Sequence, residues 1–133
     1  MRPTLDQTFL RMAQVLAARA ACNKRQVGCI ITDVDNQVVG TGYNGRARGA
    51  GNCEGCDVCT NGCEGVHAEI NALLQAGNRG VRMYQTHAPC WHCLKSILNS
   101  GIGVVYYLDA STLELESATL AAKVGLHLRH VNL

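Results

Sequence analysis

Residues 81–108 read VRMYQTHAPCWHCLKSILNSGIGVVYYL. Val81–Thr86 is a short strand-like run, and Val104–Leu108 is a second one rich in valine and tyrosine. Between them, Cys90–Asn99 carries helical spacing, with Pro89 at its entry and Gly101 just past its end. A strand, helix and strand in this order form a crossover unit, and such units build a sheet with helices packed on its faces.

The flanking sequence extends the same alternation. Thr4–Ala21 repeats Leu5, Phe9, Met12, Val15 and Leu16 at helical spacing, with Thr4 or Asp6 as the cap. Val27–Thr32 (VGCIIT) predicts a buried strand, Asp33, Asp35 and Asn36 a turn, and Gln37–Tyr43 the returning strand of a hairpin. Asn44–Gly65 is rich in glycine and cysteine and shows no periodicity; a loop of that length is normally functional or tied down. His67–Ala76 predicts a helix closed by Gly77. Ser111 with Glu114 has the spacing of a capping box for a helix reaching about Lys123, closed by Gly125, and Leu126–Val131 gives the last strand. The expected fold is α/β: a three-layer α/β/α sandwich on a five-stranded mixed sheet whose first two strands are antiparallel. Residues 1–133 are expected to form a single domain with a cysteine-rich loop at about 44–65.

Composition narrows the function. Hydrophobic residues make up 47% and charged residues 17%, as in a globular protein. A net charge of +2, with no run of Lys or Arg, gives no reason to expect nucleic acid as a partner. The N-terminal stretch lacks the apolar core of a signal peptide, and nothing approaches the roughly 18 consecutive apolar residues of a membrane span. Eight cysteines without a secretion signal point to metal ligands or reduced thiols, and so to a reducing cytoplasm.

The chemistry concentrates in His67-Ala68-Glu69 and Pro89-Cys90-Trp91-His92-Cys93. One histidine and two cysteines supply three zinc ligands and leave the fourth tetrahedral position open for water; a structural zinc would be closed by four. Cys90 and Cys93, three apart at a helix start, share one face, where the helix dipole favours thiolates. Glu69, two residues from His67, is placed to move a proton between water and substrate. Backbone N–H groups of Ala68 or Cys90 are candidates to orient a ring. C-x-x-C alone fits a redox pair or half of a structural zinc site, and H-x-E alone arises by chance. In this order, each at a predicted helix start, the two motifs follow the zinc nucleobase deaminase pattern, with Glu69 as general acid and base.

Four segments carry a closer resemblance: Cys22-Asn23-Lys24-Arg25-Gln26-Val27-Gly28, Gly42-Tyr43-Asn44-Gly45, HAEINALL from His67 and THAPCWHC from Thr86. With the C-terminal SATLAAKVGLHLRHV, they make the chain resemble the deoxycytidylate (dCMP) deaminase family over about residues 5–131. The resemblance implies a cytidine deaminase-like fold, a zinc cofactor and hydrolysis of dCMP to dUMP and ammonia, feeding thymidylate synthesis. It implies that Asn44 binds the sugar and that Lys24 and Arg25 bind phosphate, with Arg46 and Arg48 as further charges. Tyr106, at the end of its strand, is expected at phosphate or base. Ala47 stands where many members have proline, which bears on the loop path. The resemblance further implies a homo-oligomer, dimer or hexamer, with dCTP and dTTP as effectors.

Cys53, Cys56, Cys59 and Cys63 have a density that suits a second, structural zinc pinning the long loop. By resemblance Cys22 joins this set, so five thiols compete for four places. Free or redox-labile thiols and an iron–sulfur cluster are the alternatives. Cys29 reads as a core residue, His87 as a pocket or packing residue, and His92 as facing away from the metal. The competing functions are deamination of another substrate (cytidine, CMP, 5-methyl-dCMP or guanine) and a catalytically inactive, zinc-stabilised binding module.

Overall fold

In a computed structural model of the protein, residues 1–22, 25–51 and 65–133 are described. Chain order gives α1 (Leu5–Ala17), β1 (Gly28–Thr32), β2 (Val38–Tyr43), β3 (Gly45–Arg46), β4 (Gly65–Val66), α2 (Ala68–Ala76), β5 (Arg82–His87), α3 (Trp91–Asn99), β6 (Val104–Asp109), α4 (Leu115–Val124) and β7 (His127–His130). The main sheet has the order β2-β1-β5-β6-β7. β1 is antiparallel to both β2 and β5, while β5–β6 and β6–β7 are parallel. The sheet is therefore five-stranded and mixed, as the pattern predicts.

Each strand alternates between two cores. Cys29, Ile31, Met83 and Val105 pack with Ala68, Ala72, Leu94, Ile97 and Ala121, under α2, α3 and α4. Ile30 and Tyr84 pack with Phe9, Leu10 and Ala13 of α1 on the other face. The helices thus divide three against one across the sheet. β1, an interior strand between β2 and β5, is buried at every residue, which explains why its sequence is a continuous apolar run.

The boundaries depart from expectation in two places. α1 ends at Ala17 and not at Ala21; it opens with a capping box in which Gln7 N–H donates to Thr4 Oγ1 (3.1 Å) and Thr4 N–H to Gln7 Oε1 (3.0 Å). The box expected at Ser111–Glu114 is not formed. Asp109 instead accepts from Ser111 N–H (3.0 Å) and Ser111 Oγ (2.6 Å), which caps a short 3-10 turn at Ala110–Thr112. α4 then starts afresh at Leu115 and closes on Gly125, in the left-handed region that glycine adopts at least cost.

The glycine- and cysteine-rich segment carries one feature that its sequence does not advertise. Gly45–Arg46 pairs antiparallel with Gly65–Val66, closing the two ends of the segment onto each other. β4 then leads straight into His67. Among the described residues, no helix is long and apolar enough to cross a membrane.

Candidate active site

Two helix N-termini meet over the face that α2 and α3 cover. His67 is the N-cap of α2 and Cys90 the N-cap of α3, and neither side chain makes a capping hydrogen bond to its own helix. Both are thereby left for another partner. Cys93, in the first turn of α3, brings its sulfur to the same point. His67 Nδ1 lies 3.5 Å from Cys90 Sγ and 3.2 Å from Cys93 Sγ. All three candidate ligand atoms fall within 4.8 Å of one another. Tetrahedral zinc with ordinary Zn–N and Zn–S bonds separates N from S by about 3.5 Å, so the set fits that ion with little movement.

The Cys90 thiol is lowered to about 3, first by the hydrogen bond from Cys93 and then by His67. Cys93 is pushed up in turn, by its bond to the Cys90 sulfur first, then by burial and by the Glu69 charge. The two shifts are opposite because the Cys93 hydrogen bond favours a thiolate on Cys90 and a thiol on Cys93.

Glu69 is only 4% exposed, directly behind this trio. Its carboxyl is raised chiefly by burial and further by the charge on Cys90; a bond from its own backbone, the His67 charge and the Cys93 hydrogen bond oppose the rise. His67 at the cap and Glu69 in the first turn of α2 do not share a helix face. Because the cap residue is extended and not helical, both still reach the same point.

The other expected site residues divide. Asn44 is built into the backbone: Val27 N–H donates to its Oδ1 (2.7 Å) and its Nδ2 donates to the Arg25 carbonyl (2.8 Å). It clamps the segment entering β1, which carries the exposed Arg25. Arg46 lies half-buried in β3, Arg48 is exposed, and Ala68 is fully buried in the first turn of α2. Tyr106 is the residue expected at phosphate or base. It stacks on Tyr84 (centroids 4.9 Å apart, planes 8° apart) in the core under α1, across the sheet from Glu69. Strand parity puts Tyr107 and not Tyr106 on the α2–α3 face. Lys24 and the candidate ligands Cys53, Cys56, Cys59 and Cys63 lie outside the described residues; Cys22 is buried.

Residues 3–109 match the cytidine and deoxycytidylate deaminase zinc-binding region. The chain belongs to this family. It is 38% identical over 143 residues to the deoxycytidylate deaminase of Schizosaccharomyces pombe, a match covering 96% of this chain and 44% of that protein. It is 37% identical over 123 residues to the deoxycytidylate deaminase of Mycobacterium phage D29, covering 80% of this chain and 95% of that one. The crystal structure of the cyanophage S-TIM5 dCMP deaminase in complex with dCMP and dUMP is similar at a TM-score of 0.80 and 26% identity, covering 98% and 99% of the two chains. The chain thus spans less than half the length of the fission-yeast relative it matches. This deaminase-family domain brings His67, Cys90 and Cys93 together as a candidate metal-binding set.

Three contributors around the site escape a sequence reading. Gly42 of β2 faces α2 so closely that a side chain there would overlap the Ala68 carbonyl. Thr86 takes Gly28 N–H on its hydroxyl (3.2 Å) and holds His87 by Nδ1 (2.7 Å). Asp109 pairs in register with His87 at the ends of β6 and β5. Each depends on strand neighbours far away in sequence. The available signals were Gly42 inside an alternating strand and a polar Thr-His pair just before Pro89.

Proposed function

We propose that this chain hydrolyses dCMP to dUMP and ammonia, with zinc held by His67, Cys90 and Cys93 and with Glu69 as the proton carrier. The observation that carries the reading is a buried carboxyl whose proton affinity is raised, beside a three-ligand set with one tetrahedral position to spare. When bound, zinc lowers the pKa of water toward neutrality and so supplies a nucleophile at physiological pH. Glu69 takes the proton that water gives up as its oxygen adds to C4 of the cytosine. It returns that proton to ring N3, and later carries one to the departing amine as the C4–N4 bond breaks. Water and dCMP enter, and dUMP and ammonia leave, with no change of oxidation state.

Substrate contacts follow the same reading. Asn44, Arg25, Lys24 and Arg46 would hold sugar and phosphate, while the backbone at Ala68 orients the ring. Cys22 with Cys53, Cys56, Cys59 and Cys63 would supply four thiolates to a second zinc. The family resemblance supports a homo-oligomer responsive to dCTP and dTTP.

The test is ultraviolet detection of dCMP turnover beside deoxycytidine and CMP, with Glu69→Ala as control and metal content measured on the same sample. Turnover of dCMP, reduced by about 10²- to 10⁴-fold in the control, is expected. Two zinc ions per chain would support the second site. Silence on all three substrates by fully loaded protein, with dCTP present, would instead favour another base or a binding module.

A further inference from the structure

His87 is held by a chain of hydrogen bonds that leads back through Thr86 to Gly28. The Thr86 hydroxyl accepts Gly28 N–H, and a threonine hydroxyl has one proton to give. Its only other hydrogen-bond partner among the described residues is His87 Nδ1, 2.7 Å away. A threonine oxygen can accept twice, so this contact fits either ring tautomer; in the one where the hydroxyl donates to Nδ1, the ring's own proton stands on Nε2. Burial and the Arg25 charge both favour the neutral ring. Among the described residues, no hydrogen bond engages Nε2.

The position of this donor matters. His87 ends β5, and in register beside it Asp109 ends β6, at the carboxyl edge of parallel strands where open α/β sheets bind ligands. Three residues on, Cys90 begins the metal-binding turn. Arg25 lies close enough for its charge to act on both His87 and Asp109, and Asn44 holds its backbone in place. Asp109 Oδ1 is occupied by Ser111 N–H and Ser111 Oγ, which ties that carboxylate to its own turn. With the ring proton on Nε2, this edge offers an N–H donor beside a guanidinium, a pair suited to an oxyanion, with the charged Asp109 carboxylate next to them.

We propose that His87 Nε2–H and the Arg25 guanidinium together receive the phosphate of a nucleoside monophosphate, making His87 a residue that selects nucleotide over nucleoside. This rests on the deaminase reading above and adds a selecting residue to it.

The experiment compares His87→Gln, His87→Asn and His87→Leu on dCMP and deoxycytidine. A glutamine amide nitrogen reaches the Nε2 position, whereas an asparagine amide reaches only Nδ1. KM for dCMP is expected to rise about 10- to 100-fold in the Asn and Leu variants and to stay near wild type in Gln, with deoxycytidine turnover unchanged throughout. Equal losses on both substrates, or rescue by Asn and not by Gln, overturn the proposal. An independent readout is the imidazole ¹⁵N spectrum of the zinc-loaded protein titrated with inorganic phosphate and with dUMP. A His87 Nε2–H resonance that shifts with both supports the receptor even in protein that turns over no dCMP, a result that would sink only the deaminase reading. An Nδ1–H tautomer, or no shift with either ligand, overturns the receptor even where turnover is intact.

Discussion

The carbonyl oxygen of Ala68 fills the space that a side chain on Gly42 would occupy. That contact seats the first turn of α2 on β2, and with it His67 at the cap and Glu69 one residue beyond Ala68. Gly40 meets Ala72 in the same way one turn further on. Backbone atoms cannot turn aside as a flexible side chain can, so a methyl on β2 must lift the helix.

Gly42→Ala is therefore expected to cost about 1–3 kcal/mol of stability. It should also lower dCMP turnover by about 10- to 100-fold, because Glu69 and His67, the proposed proton carrier and metal ligand, move together. Gly103→Ala is the comparison, since a Cβ there meets nothing within 4 Å. Thermal melts and kinetics on both variants test the idea; equal behaviour of the two would show that α2 does not depend on the contact.

Asn44 is expected to act mainly through Arg25. Asn44→Ala removes two hydrogen bonds to the segment entering β1 and should destabilise the protein by about 1–3 kcal/mol. KM for dCMP should rise more than kcat falls, because Arg25, the proposed phosphate contact, loses its anchor. Asn44→Asp keeps the acceptor for Val27 N–H, loses the donor to the Arg25 carbonyl, and should fall between wild type and Ala. A loss confined to kcat would point to direct contact with the reacting base.

Tyr106 provides a check in the opposite direction. Replacing it with leucine removes its stacking on Tyr84, about 0.5–1.5 kcal/mol, and should lower the melting temperature. KM for dCMP should not change, since the ring lies under α1 and not beside Glu69. A raised KM at unchanged stability would return Tyr106 to the substrate.

His87 should leave a mark on the pH dependence of stability. Burial first, then the Arg25 charge, hold its folded-state pKa below the ordinary histidine range, with Asp109 working the other way. The unfolded chain takes up its proton near pH 6.5, so this contribution is complete above about that pH and is lost as pH falls through the lower folded-state value. His87→Gln has no such proton to exclude. Its unfolding free energy, measured by urea titration, should decline less steeply between pH 7 and 5 than that of the wild type. Parallel slopes would mean that the folded state does not resist protonation of this ring.

The contrast between Tyr106 and Cys90 shows which features can be read from one dimension. Cys90 and Cys93, like His67 and Glu69, are paired by spacings of two or three residues at helix starts, and the local backbone decides which of their atoms can converge. The alternation of strands and helices likewise gave the sheet, because hydrophobic period is a local property. Tyr106 and Tyr107 are both aromatic and adjacent, and a shift of one residue exchanges the faces of a strand. Only the pairing of Tyr106 with Tyr84, and of Tyr84 with Phe9 of α1, decides which of the two tyrosines faces α2 and α3.

The cap at Asp109 was hidden for a similar reason. Ser111 and Glu114 have capping-box spacing, but Asp109 stands at the end of β6 and reaches Ser111 first, turning the chain before a helix can begin. The sequence by itself determined the alternating fold, the candidate metal-binding set and the carboxyl beside it, because each is written in short-range spacing and apolar period. The tertiary structure alone decided the seat of α2 on Gly42, the hold of Asn44 on Arg25 and the company of His87. Those arise where strands distant in the chain are brought side by side, and their register is set by the packing of the whole sheet.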